Sequence, residues 1–338
     1  MRRVGMLAWM ALFGGAGYAL ARRLVRKPLA GVALITGGSR GLGLALARRL
    51  GLRGMRVVIC ARDEEELERA RGGLEAEGID ATALPGDVRD DEAMRTLVAD
   101  VEEHLGPVDL LVNNAGIIQV GPVEAMSLED YRRAMDTMFY GAVHAAEAVL
   151  PGMRARRRGT IVNVTSIGAD IAVPHLAPYD AAKFAMRGWS EALGAESAKH
   201  GVTVITVVPG LMRTGSFGHA LVKGKRYAEA TMFSLLASLP LVTVSAERAA
   251  RRIVLAVERG DRFVVIGSPA KLARLVHALA PGAVIRLLGA VNRLLPGPTA
   301  EAGEGMALPA ELYRRGVARS ILTALGERAA RRYNEEPA

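Results

Sequence analysis

The chain has 338 residues, of which 50% are hydrophobic and 23% charged, so it can bury a large core and is not a disordered polar tail. Its single cysteine, Cys60, excludes an intramolecular disulfide and any cysteine-rich metal site, and its apolar neighbours indicate a buried strand residue. The net charge of +9 comes from the two ends, residues 1–28 and 269–338, whereas the segment between them is nearly neutral. With only 4% aromatic residues, this distribution disfavours a nucleic-acid partner.

Residues 4–21 form an uncharged, mostly apolar run with basic residues on both sides, four of them within residues 22–27. Its length is close to the lower limit for crossing a bilayer, and we predict a transmembrane anchor with its basic flank over residues 1–28. The heavier basic flank follows the run, which places the rest of the chain in the cytoplasm. There are two alternatives. Residues 4–21 could be part of a cleaved signal peptide with Ala19-Leu20-Ala21 as its cleavage site, or a helix that lies on a membrane or in a core.

After the anchor, short apolar runs alternate with helical patterns. The predicted strands are residues 32–35, 56–61, 108–112, 160–164, 202–208 and 263–266, and the predicted helices include residues 63–77, 91–105 and 179–199. Such alternation predicts an α/β fold, a Rossmann-type doubly wound parallel sheet, over residues 29–268. An amphipathic helical extension, residues 269–338, follows; breaks at residues 296–298 and 301–305 precede its last helix, at about residues 309–333.

The first predicted strand runs directly into a glycine-rich turn, T-G-G-S-R-G-L-G at residues 36–43, and a helical pattern follows. Glycines let the backbone turn sharply and approach a pyrophosphate, which the first amides of the next helix attract. By itself this turn is a weak signal for a dinucleotide site.

Four further segments strengthen that signal: Asp87-Val88, Asn113-Asn114-Ala115-Gly116, Ser166 followed by Tyr179 and Lys183, and Pro209-Gly210 with Thr214. With them, residues 29–268 resemble the short-chain dehydrogenase/reductase family, in a membrane-anchored NADP-dependent form. The cofactor-binding residues that this resemblance implies are Thr36, Gly37, Ser39, Arg40, Gly41, Leu42, Gly43, Arg62, Asp87, Val88, Asn114, Ala115, Gly116, Tyr179, Lys183, Pro209, Gly210 and Thr214.

The predicted catalytic residues are Ser166, Tyr179 and Lys183. On a helix, Tyr179 and Lys183 lie at i and i+4 on one face, so we expect the ammonium to lower the phenol's pKa from about 10. The resemblance then implies Tyr179 as general acid or base, Ser166 as hydrogen-bond partner of the substrate oxygen, and Lys183 as a contact of the nicotinamide ribose.

One position departs from the family's pattern. The family usually carries an asparagine three residues before a glycine in the helix ahead of the serine-bearing strand, and alignment on Gly141 places Met138 there. A methionine cannot make the polar contacts that support a proton relay to the lysine through water. We expect an enzyme that still turns over, and a slower or non-catalytic protein is the alternative.

The end of the second predicted strand indicates which dinucleotide binds. Where an acidic residue would bind a free ribose 2′-hydroxyl, this chain has Ala61 and then Arg62, and Arg40 can reach the same place. Two guanidiniums without a carboxylate favour NADP(H) over NAD. We expect no metal in the site. Alternatively, Arg62 only pairs with the acidic helix start at residues 63–66.

The family's substrate loop corresponds to residues 215–242, which are rich in apolar side chains. They are Phe217, Leu221, Val222, Tyr227, Met232, Phe233, Leu235, Leu236, Leu239 and Leu241, beside the basic residues Lys223, Lys225 and Arg226. This composition predicts a lipophilic small-molecule substrate. The alternative is that these side chains only close the core over the sheet.

Apolar residues recur at helical spacing within residues 272–295, interspersed with Lys271, Arg274, Arg286 and Arg293. Basic amphipathic helices of this kind lie on anionic membrane lipid, or pack on the domain or on a second subunit of a homo-oligomer.

Two function classes remain. The favoured one is a single-pass membrane protein whose cytoplasmic domain interconverts a lipophilic carbonyl compound and its alcohol by hydride transfer with NADP(H). In this it resembles the membrane-bound hydroxysteroid dehydrogenases and keto-lipid reductases of the family. The other is a non-catalytic, cofactor-binding membrane scaffold, which Met138 permits.

Overall fold

The structure is a computed structural model that describes residues 28–239, 243–298 and 323–335. The predicted anchor and the first part of the predicted last helix lie outside these residues. The strands are β1 (Val32–Thr36), β2 (Arg56–Ala61), β3 (Ala81–Pro85), β4 (Val108–Asn113), β5 (Gln119–Val120), β6 (Gly159–Val164), β7 (Val202–Pro209), β8 (Met212–Arg213), β9 (Leu221–Val222), β10 (Val244–Ser245) and β11 (Phe263–Ile266). The helices are α1 (Gly41–Gly51), α2 (Glu64–Glu75), α3 (Asp91–His104), α4 (Leu128–Met135), α5 (Gly141–Ala155), α6 (Ala177–Ser197), α7 (Arg226–Ser238), α8 (Ala246–Arg259), α9 (Ser268–Leu279), α10 (Pro281–Asn292) and α11 (Ala324–Arg332).

Seven parallel strands form the central sheet in the order β11-β7-β6-β4-β1-β2-β3. The chain builds outward from β1 to β3 and then returns to place β4 on the other side of β1. The strand order therefore reverses between β1 and β4, and in doubly wound sheets ligands bind at the carboxyl ends of the strands at such a point. This confirms the predicted Rossmann-type fold.

Helices cover both faces of the sheet because successive strand residues point to opposite sides. On β1, Ala33 and Ile35 pack in a core with α1, α2 and α8, whereas Val32 and Leu34 pack in a second core with α3 and α5. All four residues are buried, as expected of a strand covered on both faces. All six predicted strands form, and β3 is an additional strand at the edge of the sheet.

Cys60 lies near the end of β2 and is fully buried. Burial, with a smaller contribution from Asp87, raises the pKa of its thiol to about 12. The prediction of a buried strand residue is confirmed, and a thiol with so high a pKa is rarely a thiolate.

Beyond β11 the chain leaves the sheet in two helices, α9 and α10, and its direction bends by 117° between them. Among the described residues, no single helix is long and apolar enough to cross a membrane; α9 and α10 meet that criterion only as a bent pair. Every residue of α10 is at least partly exposed. The final helix, α11, returns to the domain and packs against α7 and β8.

Candidate active site

The glycine-rich turn connects β1 to α1 and requires glycine for steric reasons. Gly37 and Gly41 have left-handed φ angles of 62° and 56°, which other residues rarely adopt. A Cβ atom on Gly43 would collide with the carbonyl oxygen of Gly37. The buried side chain of Leu42 anchors the first turn of α1. The result is an open loop that leads into the start of a helix.

Side chains from β1 and β4 hold this turn in place. Asn114 donates from Nδ2 to the carbonyl oxygens of Thr36 and Gly37, at 3.2 and 2.9 Å. The hydroxyl of Thr36 accepts hydrogen bonds from the backbone nitrogens of Asn114 and Ala115, at 3.1 and 3.2 Å. A turn that is held by the residue after β4 and requires glycine at positions 37, 41 and 43 fits the close approach of a dinucleotide pyrophosphate at the start of α1.

Two arginines lie at the edge of the site nearest β2. Arg40 donates from Nη1 to Glu66 at 2.7 Å, and the hydroxyl of Ser39 donates to the other oxygen of the same carboxylate. Arg62 is exposed and has no ion pair or hydrogen bond within the described part of the chain. The alternative in which Arg62 pairs with the helix start therefore does not hold in this structure, where Arg40 pairs with Glu66 instead.

Asp87 and Val88 follow β3 beside these arginines. Burial alone would raise the pKa of Asp87, but hydrogen bonds from Arg89 and the nearby Arg62 hold it below its usual range. The carboxylate is therefore ionised at neutral pH. Val88 is buried, and its carbonyl oxygen lies 2.9 Å from Nδ1 of His144.

The far side of the site is formed by the segment after β7. Gly210 donates its backbone N–H to the carbonyl oxygen of Ile266 at 2.9 Å, which fixes the chain after Pro209. Thr214 is buried and faces the start of α1: its Cβ is 3.7 Å from the position that a Cβ on Gly41 would occupy. The segment thus lies across the site from the glycine-rich turn.

The three predicted catalytic residues meet at the carboxyl end of β6. The Ser166 hydroxyl accepts the N–H of Gly168 at 3.1 Å and is also hydrogen-bonded to the phenol of Tyr179. Lys183 is buried one turn further along α6 and donates from Nζ to the carbonyl oxygen of Val164 at 3.0 Å. Its Nζ lies 5.8 Å from the centroid of the Tyr179 ring. The arrangement joins a hydroxyl, a phenol and an amine next to the dinucleotide turn.

Comparison with known proteins decides what this arrangement is. The sequence pattern of the short chain dehydrogenase family matches residues 31–221. The chain belongs to the short-chain dehydrogenase/reductase family. It is 38% identical to gluconate 5-dehydrogenase of Gluconobacter oxydans over 182 residues, 54% of this chain and 71% of that protein. It is 32% identical to a fatty acyl-CoA reductase of Acinetobacter baylyi over 290 residues, 85% of this chain and 92% of that protein.

Solved structures agree with this assignment. An actinorhodin polyketide ketoreductase with NADPH superimposes with a TM-score of 0.63 at 33% identity, covering 72% of this chain and 99% of that one. The protein is an oxidoreductase of this family, whose members act on hydroxyl and keto groups.

The pKa of the phenol in this short-chain dehydrogenase/reductase differs from the sequence prediction. Burial raises the pKa of Tyr179 to about 12, although its hydrogen bond with Ser166 acts in the opposite direction. Burial likewise lowers the pKa of Lys183 to about 8. The helical spacing correctly placed the two groups near each other, but the amine donates to Val164 and both groups are desolvated. The prediction of a lowered Tyr179 pKa is therefore wrong for this structure.

Met138 lies three residues before Gly141, the first residue of α5. It lies in a single π-helical turn, Asp136–Tyr140, between α4 and α5, and its side chain is fully buried with Ala134 and Ala182. A Cβ on Gly116 would lie 3.5 Å from the Met138 sulfur and 3.7 Å from Nζ of Lys183. The Met138 thioether and the Lys183 amine therefore both border Gly116.

A chain of buried polar side chains beneath the site was not predicted. Asn113 donates to Asn163 at 2.9 Å, Asn163 donates to Ser190 at 2.9 Å, and the Ser190 hydroxyl lies 2.7 Å from that of Thr206. These bonds connect β4, β6, α6 and β7, the strand and helix that carry or precede the catalytic residues among them. The isolated polar residue Asn163 in an otherwise apolar strand was the available sequence signal.

The predicted substrate loop forms a small core together with β5 and the residue before α6. Val120, Ala220, Val222 and Ala230 are buried there, with Ile118, Leu176 and Phe233 packed against them. Two side-chain contacts hold this region in place: the ion pair of Lys223 with Asp130 at 2.7 Å, and the hydrogen bond between His175 and Glu229 at 2.9 Å. Some apolar side chains of residues 215–242 are thus buried against the domain, as the alternative to a substrate-binding role expected. Leu241 lies outside the described residues.

Proposed function

We propose that the protein reduces a lipophilic ketone or aldehyde to the alcohol with NADP(H), with Tyr179 as the proton donor. The observation that carries this proposal is the meeting of Ser166, Tyr179 and Lys183 beside the dinucleotide turn. The Ser166 hydroxyl can bind the carbonyl oxygen, the Tyr179 phenol can supply the proton, and the Lys183 amine can stabilise the phenolate that remains.

NADP(H) is the dinucleotide. Arg62 is exposed and has no ion pair or hydrogen bond within the described residues, so it can bind a 2′-phosphate. Arg40 would add a second guanidinium by exchanging its carboxylate partner Glu66 for that phosphate. Gly37, Gly41 and Thr214 border the place for the pyrophosphate. A related polyketide ketoreductase has been solved with NADPH, which supports this choice.

When bound, the dinucleotide supplies the hydride. Ser166 donates a hydrogen bond to the substrate's carbonyl oxygen and orients it toward Tyr179. The Tyr179 phenol then transfers its proton to that oxygen as negative charge develops on it. Lys183 holds the ribose and places positive charge near the phenolate that remains.

The raised pKa of Tyr179 is compatible with its proposed role. A phenol with a pKa of about 12 is protonated at neutral pH and is ready to donate a proton to a carbonyl oxygen.

A lipophilic substrate is supported by the side chains around the catalytic residues. Tyr179 packs in a cluster with Ile117, Met135 and Met138. The nearby charged side chains of Asp130 and Glu229 are each bound to a basic partner and are not available to a charged substrate. The relatedness to a fatty acyl-CoA reductase agrees with an apolar acyl or ring substrate.

We further propose that the protein is attached to a membrane, with residues 4–21 crossing the bilayer and α10 lying on its anionic lipid. Exposed apolar residues cover α9, α10 and the turn that follows α10: Leu272, Leu275, Val276, Leu279, Ile285, Leu287, Val291 and Leu294. Lys271, Arg286 and Arg293 are exposed among them, and basic side chains beside an apolar helix face fit anionic headgroups.

The body of the domain holds α9 in place. Arg274 lies 4.4 Å over the ring of Phe263 and 3.5 Å from Asp170, so one side of α9 is fixed against β11. The apolar residues on its other sides then face outward together with those of α10, and a lipophilic substrate would enter from the lipid without crossing water.

Deleting residues 1–28 tests the membrane attachment. We expect most of the protein to leave membranes and the remainder to bind vesicles of phosphatidylglycerol and phosphatidylcholine in a salt-sensitive way, because salt screens Lys and Arg contacts. Replacing Leu287 and Leu294 by glutamate should abolish the remaining binding. Full solubility of the truncated protein at low salt would refute the docking of α10, and extraction of the full chain by salt would refute the anchor.

Turnover of a panel of ketones and aldehydes with NADPH tests the catalytic proposal. We expect consumption of NADPH that rises with the apolar chain length of the carbonyl compound. A second candidate, a cofactor-binding scaffold without catalysis, is favoured by Met138 at the position of the usual asparagine. NADPH binding without turnover of any compound in the panel would support that scaffold over the reductase.

A further inference from the structure

The described C-terminal segment, residues 323–335, lies against the glycine-rich turn. Tyr333 is buried in the core cluster that α1 and α8 share. Its carbonyl oxygen accepts the backbone N–H of Gly41, the first residue of α1, at 2.9 Å. Asn334 donates from Nδ2 to the carbonyl oxygens of Ser39 and Glu66, both at 3.0 Å. The segment is therefore bound to the turn through the turn's own backbone.

The side chain of Glu335 enters the dinucleotide site itself. Its Oε1 lies 2.6 Å from the position that a Cβ on Gly41 would occupy, and Thr214 borders the same position on the other side. Its Oε2 lies 3.5 Å from Nε of Arg40, and its backbone carbonyl oxygen lies 2.8 Å from Nε2 of His219. The carboxyl group is buried between the start of α1 and the segment after β7.

The bound segment and a dinucleotide need the same donors and the same space. The first amides of α1 attract a pyrophosphate, but the N–H of Gly41 already donates to Tyr333. Arg40, a predicted contact of the 2′-phosphate, is engaged by Glu66 and Glu335. Because the Glu335 carboxyl fills the gap in front of Gly41, the two cannot occupy the site together.

We propose that residues 333–335 form an autoinhibitory strap that closes the phosphate site and is displaced when NADP(H) binds. This inference rests on the proposed function, since it concerns the dinucleotide named there. Displacement makes the measured dissociation constant of NADPH larger than the intrinsic one by the inverse of the fraction of open protein. The strap thus sets the NADP(H) concentration at which the dinucleotide site becomes occupied.

Shortening the chain tests the strap. One variant ends at Arg332 and lacks residues 333–338; its matched control ends at Glu335 and keeps the docked residues. We expect the first to bind NADPH at least about tenfold more tightly than the full chain, and the control to bind with unchanged affinity. Titration of NADPH fluorescence on the protein gives both constants without a substrate.

The chain that ends at Arg332 lacks Tyr333, which is part of the core, so its folding could be impaired. A point variant tests the strap without this loss. Asn334→Ala keeps Tyr333 but removes the two hydrogen bonds to Ser39 and Glu66. We expect it to bind NADPH about three- to tenfold more tightly. Hydrogen exchange of residues 323–335 in the full chain should become faster when NADPH is added.

The outcomes separate this inference from the proposed function. Equal NADPH affinities of the full chain, Asn334→Ala and the chain ending at Arg332 would overturn the strap and leave the reductase proposal intact. Slower exchange of residues 323–335 on NADPH addition would also overturn it, since the segment would then cover the dinucleotide. Binding of NADPH by none of the three proteins would overturn the proposed function and the strap together.

Discussion

Tyr179→Phe is the most direct test of the catalytic assignment, because it removes one hydroxyl and keeps the ring. Ser166 is the hydrogen-bond partner that the structure gives this phenol, and the ring packs with the buried cluster of Ala134, Met138 and Ala182. Loss of a general acid lowers rates by about 10²- to 10⁴-fold, or about 2.7 to 5.4 kcal/mol of transition-state stabilisation. The expected cost in folding is small, about 1 kcal/mol for one hydrogen bond.

The assay follows NADPH consumption with a carbonyl compound that the unmodified protein reduces. We expect kcat to fall by at least about 10²-fold, the NADPH dissociation constant to change by less than about twofold, and Tm to fall by about 2 to 4 °C. Tyr140→Phe is the matched control, because Tyr140 is exposed and lies on a neighbouring helical segment. A Tyr179→Phe variant that keeps more than about a tenth of the activity would refute Tyr179 as the proton donor.

Three further predictions concern the relay, the dinucleotide and the pH profile. Met138→Asn should keep or raise kcat if a water relay to Lys183 limits the rate, whereas the control Met135→Asn should not raise it; a large loss for Met138→Asn would reveal a packing role. Arg62→Ala should reduce the preference for NADPH over NADH by about 1.5 to 3 kcal/mol, measured by binding, and Arg71→Ala, an exposed residue paired with Glu68 and Glu75, should leave it unchanged. The kcat/KM of reduction should be constant below a pH of about 8 and fall above it, since the lowered pKa of Lys183 means that its charge is lost there while Tyr179 stays protonated. In Lys183→Arg, whose side chain keeps its charge, the residual activity should lack that fall, and an unchanged fall would assign it to another group.

The sheet was predictable because its strands are short runs buried on both faces, which leaves a strong local signal. The strand β3, Ala81–Pro85, was missed because it lies at the edge of the sheet, is partly exposed and ends in proline. The catalytic and dinucleotide residues were predictable for a related reason. The glycine-rich turn, Asn114 and Ser166 follow closely after strands, and the carboxyl ends of parallel strands meet at one edge of the sheet. Tyr179 and Lys183 lie on α6, and the resemblance to the family brought them to the site.

What was not predictable depends on side-chain direction and on contacts between distant parts of the chain. The spacing of Tyr179 and Lys183 placed them on one face of a helix, but it did not indicate that the amine donates to Val164 or that burial dominates both pKa values. The sequence left open whether the acidic start of α2 pairs with Arg62, and in the structure Glu66 binds Arg40. The contact of Asn334 with Ser39 spans 295 residues and has no local sequence signal.

The core of the sheet is complete at β11, and this determines what the remaining chain can do. After Ile266 there is no further strand in the described residues for a helix to cover, so α9 is held only along one side, by Arg274 against Phe263, and α10 has no buried residue. The chain then returns to the opposite half of the domain, where Asn334 contacts the glycine-rich turn. One C-terminal extension therefore contributes an apolar, basic surface beside the last strand and an acidic residue, Glu335, inside the dinucleotide site. If both proposals hold, the apolar, basic surface governs how a lipophilic substrate reaches the active site. Glu335 governs how readily NADP(H) binds there.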